Sequence, residues 1–339
     1  MSSAQPAPPS PSLILDTLFN FQRTAALKAG IDLDVFTGIA QGTNTAAGLA
    51  ARTAASPKGM RVLCDYLTIN GFLLKSDDHY VLTQDSAVFL NRNSPAYMGS
   101  VANFLASPEL VRNFENLSDV VRKGGTLTEG GTVSYDNPIW VLFARSMAPL
   151  MVPPAQRMAQ LIGAADGRPM RVLDIAAGHG IFGITIAQQN PNAQIIAVDW
   201  PNVLAVAEEN AERVGVANRL TKMPGDAFTI PFGGPYDVVL VTNFLHHFDI
   251  PTCDAFMKKV QACLMPGGIA VTLDMVPNED RVTPPDAASF AMVMLGSTPN
   301  GDAYTWNEYQ GIFSRAGFAH SEKYEVPGLP ASVLISTKA

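Results

Sequence analysis

The spacing of apolar residues in the first part of the chain is helical. Apolar residues between Leu13 and Val35 recur as they do on one face of a helix. Ser56-Pro57 marks the start of a further helix. Two short apolar stretches on either side of Asp77-Asp78 indicate a small hairpin. This order of helices followed by a hairpin predicts a winged-helix-like domain over residues 12–100.

The pattern changes further along the chain. Residues 101–165 are predicted to form a helical connector, and residues 166–339 alternate apolar runs of strand length with segments of helix length. The predicted strands are 171–176, 194–199, 220–225, 236–242, 268–275 and 331–337, and the predicted helices are 181–189, 201–214, 252–263 and 305–316. This alternation predicts a doubly wound, mostly parallel α/β sheet.

Composition narrows the class of protein. Of 339 residues, 47% are hydrophobic and 16% are charged, which is typical of a globular chain. The formal net charge of −7 argues against a nucleic-acid partner, because such a partner requires a basic face. Three cysteines without a disulfide or metal-binding pattern fit a reducing cytoplasm.

No apolar run is long enough to span a membrane, so no membrane partner is expected. The Pro- and Ser-rich residues 1–11 lack the features of a secretory signal and are predicted to be a disordered tail.

The segment from Val172 to Gly180 carries the strongest chemical signal. Val172–Ala176 is predicted to be a buried strand, and Gly178 and Gly180 allow the backbone to turn sharply and approach a ligand. Asp199 ends the next predicted strand, where a carboxylate can accept both hydroxyls of a ribose. Together these features predict a site for a nucleoside cofactor.

Two cofactors fit the glycine spacing. Gly178, Gly180 and Gly183 satisfy the G-x-G-x-x-G pattern of dinucleotide sites, which alone is weak evidence. Asp174 at the end of the strand would repel a pyrophosphate but would suit the ammonium and sulfonium of S-adenosylmethionine. We therefore favour S-adenosylmethionine over a nicotinamide cofactor. The alternative interpretation of Asp174 is a carboxylate that caps the following helix.

Further polar residues follow the next two strands. Asp226 follows the third predicted strand and could accept the adenine amino group, although a turn-forming role is the alternative. His246 and His247 follow the fourth, where a neutral imidazole could take a proton from a substrate hydroxyl. Either histidine could instead cap or pack. No third ligand accompanies them, so no metal site is predicted.

Aromatic and methionine side chains recur on the predicted helix of the connector. Phe143, Met147 and Met151 have a spacing of four residues, and Trp140 extends their row. Met294 lies in a later apolar segment. Such a surface suits a flat, apolar acceptor, although ordinary core packing is the alternative.

With these segments identified, nearly the whole chain resembles the S-adenosylmethionine-dependent O-methyltransferases of the caffeic acid O-methyltransferase type. The matching motifs are Leu173 to Gly180, Val198-Asp199-Trp200-Pro201, Gly225-Asp226-Ala227-Phe228, Leu245-His246-His247-Phe248 and Leu264-Met265-Pro266-Gly267-Gly268. The resemblance implies a homodimer formed through the N-terminal winged-helix domain, a seven-stranded Rossmann-like methyltransferase sheet over residues 166–339, and a small-molecule acceptor.

The resemblance also implies roles for single residues. The catalytic base of the family falls on His246, and His247 stands where Asp is usual. One of two flanking acids matches Asp274, but the other would fall near Ala303, where no acid stands. The cofactor would contact Asp174, Ala176, Gly178, Gly180, Asp199, Trp200, Asp226, Ala227, Phe228 and Asn243.

Two rival functions stay open at this point. Methylation of carbon or nitrogen, or cofactor binding without methyl transfer, could use the same fold, and the missing acid near Ala303 keeps this alternative in view. A winged-helix regulator that binds DNA is the other alternative, and the acidic composition argues against it.

Overall fold

The computed structural model describes residues 9–339, so residues 1–8 of the predicted disordered tail lie outside the described residues. The chain divides into two compact units, with the boundary between Ser107 and Pro108. In the part of the chain described, no helix combines the length and the apolar character needed to cross a membrane.

The first unit is a small helical domain with a hairpin. Its elements are α1 (Ser12–Asp32), α2 (Val35–Ala40), α3 (Ala46–Thr53), α4 (Pro57–Ile69), β1 (Leu73–Ser76), β2 (His79–Leu82), α5 (Gln84–Phe89) and α6 (Val101–Leu105). Helix α4 begins at the predicted Ser56-Pro57 pair, and the hydroxyl of Ser56 accepts the Gly59 N–H and caps it. The core of this unit includes Phe36, Leu49, Leu67 and Tyr80.

The second unit contains a seven-stranded sheet with helices. Its elements are α7 (Pro108–Arg112), α8 (Leu117–Lys123), α9 (Ile139–Leu161), β3 (Met170–Ile175), α10 (Ile181–Gln189), β4 (Ala193–Asp199), α11 (Pro201–Arg213), β5 (Leu220–Pro224), β6 (Tyr236–Thr242), α12 (Ile250–Cys263), β7 (Leu264–Met275), α13 (Pro285–Ala288), α14 (Phe290–Ser297), α15 (Trp306–Arg315), β8 (Phe318–Glu325) and β9 (Ala331–Lys338). The predicted α/β fold class is confirmed.

The strand order of the sheet is β5-β4-β3-β6-β7-β9-β8. The strands from β5 to β7 are parallel, and β9 runs antiparallel to β7 and β8. After β5 the chain returns to the other side of β3, so the order reverses between β3 and β6. Ligands bind at the carboxyl ends of strands beside such a reversal.

The six predicted strands are present, with ends shifted by a few residues. The prediction missed β8, whose sequence from Phe318 to Glu325 is mostly polar and exposed. An edge strand with one partner lacks the continuous apolar run that identifies a central strand such as β6.

Candidate active site

The turn after β3 has left-handed backbone conformations and is hydrogen-bonded to the end of β4. Ala176, Gly178 and Gly180 all have positive φ angles, of 52°, 57° and 72°. The N–H of Gly178 donates to Oδ2 of Asp199 at 2.8 Å, and the other carboxylate oxygen accepts the N–H of Trp200 at 2.7 Å. These two bonds attach the end of β4 to the glycine turn. Burial of the Asp199 side chain raises its pKa to about 6.

Asp174 lies fully buried beneath the first turn of α10. Its Oδ2 accepts the N–H of Gly183 at 3.1 Å, so it does help to cap the helix, while its Oδ1 has no hydrogen-bond partner in the described structure. Burial is the main cause that raises its pKa to about 7, and repulsion from Asp199 adds to the rise.

His179 in the same turn received no role from the sequence. Its Nδ1 accepts the N–H of Ile181 at 3.1 Å, and burial lowers its pKa to about 4. The neutral ring must therefore carry its proton on Nε2. That buried nitrogen is also without a partner among the described residues. An unpartnered donor here and an unpartnered acceptor at Asp174 fit a turn that a polar ligand completes.

The loop after β5 carries Asp226 in a tight turn. Gly225 donates its N–H to the Asp199 carbonyl at 3.0 Å, which ties the loop to β4. Oδ1 of Asp226 accepts the N–H of Phe228 at 2.9 Å, and its carbonyl accepts the N–H of Ile230 at 2.9 Å. The turn-forming interpretation of Asp226 therefore holds, and the carboxylate still lies at the ligand-binding edge.

A lysine that the sequence analysis did not single out fixes this loop. Lys259 on α12 donates to the carbonyls of Ala227, Phe228 and Ile230 at 2.8, 2.9 and 2.7 Å. One ammonium thus satisfies three carbonyls of the loop.

His246 stands in a short helical turn after β6 and is buried. Its Nδ1 lies 2.5 Å from Oδ1 of Asp274, a fully buried carboxylate near the end of the neighbouring strand β7. This bond occupies Nδ1 and leaves Nε2 as the nitrogen for a ligand. The structure therefore brings together His246 and the acid that the resemblance assigned to it.

Tyr309 is a further member of this cluster. Its hydroxyl donates to Oδ2 of Asp274 at 2.6 Å, and its side chain is fully buried on α15. A tyrosine on the apolar face of an amphipathic helix looks like ordinary core in a sequence, so no local signal pointed to it.

His247 faces a different environment from His246. Its Nδ1 is 3.2 Å from the Phe244 carbonyl, and its ring meets the edge of the Trp140 ring at a centroid distance of 5.2 Å. Burial holds its pKa well below the ordinary value. These contacts fit the packing interpretation.

The predicted apolar row on α9 faces the glycine turn. A methyl group built on Gly178 would lie 3.8 Å from the ring of Phe143. Sδ of Met151 is 3.7 Å from Nδ2 of Asn243, which follows β6 with a φ of 51°. Met147 on the same helix is buried.

The later apolar segment forms α14, beside His246. The ring of Phe290 meets the His246 ring at a centroid distance of 4.8 Å, and Met294 is buried one helical turn further along. In residues 9–339, no cluster of three or more His, Cys, Asp or Glu side chains is arranged to hold a metal ion.

Comparisons with known proteins agree with this geometry. A family model for the O-methyltransferase domain matches residues 157–319, and one for the O-methyltransferase dimerisation domain matches residues 15–92. A solved structure from Nostoc punctiforme PCC 73102, assigned as a candidate O-methyltransferase, is 48% identical, with 98% of this chain and 100% of that chain covered and a TM-score of 0.93.

More distant relatives are also similar over most of the chain. The 3-hydroxy-5-methyl-1-naphthoate 3-O-methyltransferase of Streptomyces sahachiroi is 26% identical, over 93% of this chain and 92% of its own. Human N-acetylserotonin methyltransferase, solved with S-adenosylmethionine, is 21% identical with full coverage of both chains and a TM-score of 0.85, which shows the same fold.

Proposed function

The chain belongs to the O-methyltransferase family, and from that premise we propose that it methylates a hydroxyl of an aromatic or polycyclic small molecule, with His246 as the general base. S-adenosylmethionine is the methyl donor. The observation that carries the proposal is the buried pair of His246 and Asp274, 2.5 Å apart, at the carboxyl edge of the sheet beside the glycine turn.

The cofactor would extend along the three loops at this edge. Asp199 would accept the ribose hydroxyls and Asp226 the adenine amino group, with Trp200, Ala227 and Phe228 beside them. Asp174, Ala176, Gly178, Gly180 and Asn243 would line the methionine end. The unpartnered atoms of Asp174 and His179 support this placement. When bound, the cofactor supplies an electrophilic methyl group on a sulfonium.

The acceptor would lie against Trp140, Phe143, Met147, Met151 and Met294. Phe143 supports this placement because its ring lies close to Gly178, and Phe290 on α14 reaches His246. The naphthoate substrate in the name of the Streptomyces relative has the flat aromatic shape that such a surface suits.

The base would act through Nε2 of His246. Asp274 accepts the Nδ1–H and so holds the tautomer whose Nε2 is free to take a proton. The acceptor hydroxyl would give that proton to Nε2 as its oxygen becomes methylated, with the methyl group supplied by the cofactor and a neutral thioether as the leaving group. Asp274 stays ionised and stabilises the resulting imidazolium. His247 would remain neutral and support Trp140.

His246→Gln tests this proposal. We expect kcat to fall by roughly 10²–10⁴-fold, the usual contribution of a general base, while the dissociation constant of S-adenosylhomocysteine stays within about twofold. Turnover is measured on a panel of phenolic acceptors, and affinity by calorimetry. His320→Gln, at an exposed position on β8, is the control.

Retention of full turnover by His246→Gln would contradict the role of base. Product analysis after transfer of an isotopically labelled methyl group identifies the methylated atom. A label on carbon or nitrogen would exclude O-methylation and favour the rival methyltransferase chemistries.

We infer that the protein acts as a homodimer through its first unit. The family model over residues 15–92 describes a dimerisation domain. Residues 12–25 of α1 are exposed on every side and include Leu13, Ile14, Leu18, Phe19 and Phe21. Apolar side chains of this kind on an uncovered helix suit a second copy of the chain.

The remaining expectations about partners and location are also proposals. Arg61 on α4, the helix that would read DNA, is paired with Asp65 at 2.9 Å, and Lys75 on the hairpin reaches the same carboxylate at 2.5 Å. Both cations share one carboxylate, and the chain has a formal net charge of −7, which argues against a nucleic-acid partner. The described cysteines are all free and buried, which supports a cytoplasmic location.

A further inference from the structure

We propose that Tyr309 is a positioning residue for the base: its hydroxyl holds the Asp274 carboxylate in the orientation that presents His246 to the acceptor. The inference rests on the proposed role of His246. No acid stands at the position near Ala303 where the family pattern places the second acid beside the base. Tyr309, a neutral donor on α15, would instead support the one acid that is present, Asp274.

The first step of the argument is the hydrogen bonding of Asp274. Its Oδ2 accepts the Tyr309 hydroxyl at 2.6 Å, while Oδ1 accepts the Met275 N–H at 2.9 Å and lies 2.5 Å from Nδ1 of His246. A fully buried carboxylate needs such donors to remain ionised. Tyr309 is the side chain that fixes the oxygen His246 does not contact, so it sets the rotation of the whole carboxylate.

The second step is the rigidity of the support behind Tyr309. Helix α15 begins with a reciprocal cap between Thr305 and Glu308, immediately before Tyr309. The ring of Tyr309 is stacked on Phe313 at a centroid distance of 5.8 Å and meets the edge of Tyr304 at 5.9 Å. The hydroxyl therefore has a defined position from which to act on Asp274.

The third step is the link between this helix and the base. The N–H of Asp302 donates to the His246 carbonyl at 2.9 Å, and the Tyr304 hydroxyl donates to the Phe248 carbonyl. The segment that leads into α15 is thus hydrogen-bonded to the turn that carries His246. Tyr309 and His246 are consequently fixed relative to each other through two routes.

The fourth step concerns the missing acid. Ala303 is buried, and the Asp302 carboxylate accepts the Ala303 N–H and lies 3.4 Å from Arg281, so it is not directed to the imidazole. A second carboxylate against Asp274 would repel it, whereas a hydroxyl donor stabilises its charge. Burial and Asp274 raise the pKa of Tyr309 well above 10, so the hydroxyl stays protonated.

A donor on Asp274 has a defined effect on the base. The hydroxyl takes up part of the negative charge that would otherwise stabilise the imidazolium of His246. Loss of the hydroxyl should therefore leave more negative charge on the carboxylate beside the imidazolium, which stabilises the protonated form of the base. The titratable neighbours around this pair are His247 on the same turn, Cys253 on α12 and Tyr304. Burial lowers the pKa of His247 and raises those of Cys253 and Tyr304, which keeps all three uncharged near neutral pH.

Tyr309→Phe is the test, because it removes the hydroxyl and keeps the ring. We expect kcat to fall by about tenfold, in line with the loss of one hydrogen bond to a charged group. The acidic limb of the kcat/KM profile should move to higher pH, while the affinity for S-adenosylhomocysteine should not change. Tyr236→Phe is the matched control, because Tyr236 is buried at the start of β6 and donates to the Phe232 carbonyl at 2.6 Å.

A role confined to packing would lower the melting temperature of both variants and leave the limb in place, and that result would overturn the proposal. If Tyr309→Phe fails to fold, 3-fluorotyrosine at position 309 gives the opposite test. Its more acidic hydroxyl is a stronger donor, so the acidic limb should move to lower pH, and a limb that stays fixed would overturn the proposal.

His246→Gln, assayed in parallel, separates the proposed role of Tyr309 from the proposed role of His246. Loss of activity there with an unaffected Tyr309→Phe rejects only the role of Tyr309.

Discussion

The Asp199 carboxylate at the end of β4 has two roles in this protein. Asp199 accepts two backbone N–H groups, which hold the glycine turn against β4, and it is the proposed acceptor of the ribose hydroxyls. Both roles favour the ionised form, whereas burial favours the neutral form. The outcome is a pKa raised to about 6. Cofactor binding should therefore depend on pH in the mildly acidic range.

We expect the affinity for S-adenosylhomocysteine to weaken as pH falls through about 7, where Asp174 takes up a proton, and to weaken more steeply through about 6, where Asp199 does, by up to roughly tenfold per pH unit. The direction follows because the protonated carboxyl accepts hydrogen bonds from hydroxyls less well. Calorimetry between pH 5 and 8 measures it. Asp199→Asn should bind weakly at every pH, and a variant with the wild-type pH dependence would contradict the assignment.

At the residue scale, the signal in the sequence is a polar residue at the end of a predicted strand or directly after it. Asp174 and Asp199 lie in the last residues of their strands. Asp226 and His246 follow theirs, and the structure places all four at one edge of the sheet. Tyr309 could not be found in this way, because it stands on a helix whose nearness to Asp274 depends on the tertiary fold.

At the scale of elements, α12 does more than cover the sheet. Lys259 extends from it to three carbonyls of the loop after β5, and its ammonium also lies 4.1 Å from the centroid of the Phe232 ring. Desolvation lowers the pKa of Lys259. The loop that carries Asp226 is consequently attached to α12 through three of its carbonyls.

Lys259→Met should loosen this loop and weaken binding of S-adenosylhomocysteine by about three- to tenfold, since one charged donor to three carbonyls is lost. Hydrogen exchange at residues 226–230 should become faster. Lys258→Met, at the exposed neighbouring position, is the control. Equal affinities and exchange rates for the two variants would show that the contact of Lys259 with the loop does not contribute to cofactor binding.

Helix α10 illustrates how well local signals can define an element. The predicted range 181–189 equals the observed range Ile181–Gln189, because the glycine turn starts the helix and a short apolar run gives its length. The predicted helices 201–214 and 305–316 are similarly close to α11 and α15. By contrast, β8 has no such local signal, since its partner β9 supplies the pairing.

At the scale of the whole molecule, the exposed part of α1 supports the proposal that two copies of the chain associate. A helical segment exposed on every side cannot gain stability from packing within its own chain, and isolated helices of that length are marginal in water. The described residues of α1 carry a row of exposed apolar side chains. A second copy of the chain would cover them.

The double substitution Leu18→Glu with Phe21→Glu should therefore weaken self-association by at least about a hundredfold, because it places charges in an apolar interface. Sedimentation velocity over a range of concentrations measures the change. Val214→Glu, at an exposed apolar position in the second unit, should leave the assembly intact. A wild-type chain that sediments as a monomer would contradict the proposal from the outset.

The sequence by itself determined the parts of this protein that rest on local pattern. These are the α/β alternation, the glycine turn, the acid at the end of β4 and the histidine after β6, because strand periodicity and turn chemistry act over a few residues. The tertiary structure alone decided which groups meet. The contacts of Tyr309 with Asp274 and of Lys259 with the loop after β5 join residues far apart in the chain. Such contacts follow from packing of whole elements, for which no short stretch of sequence carries a signal.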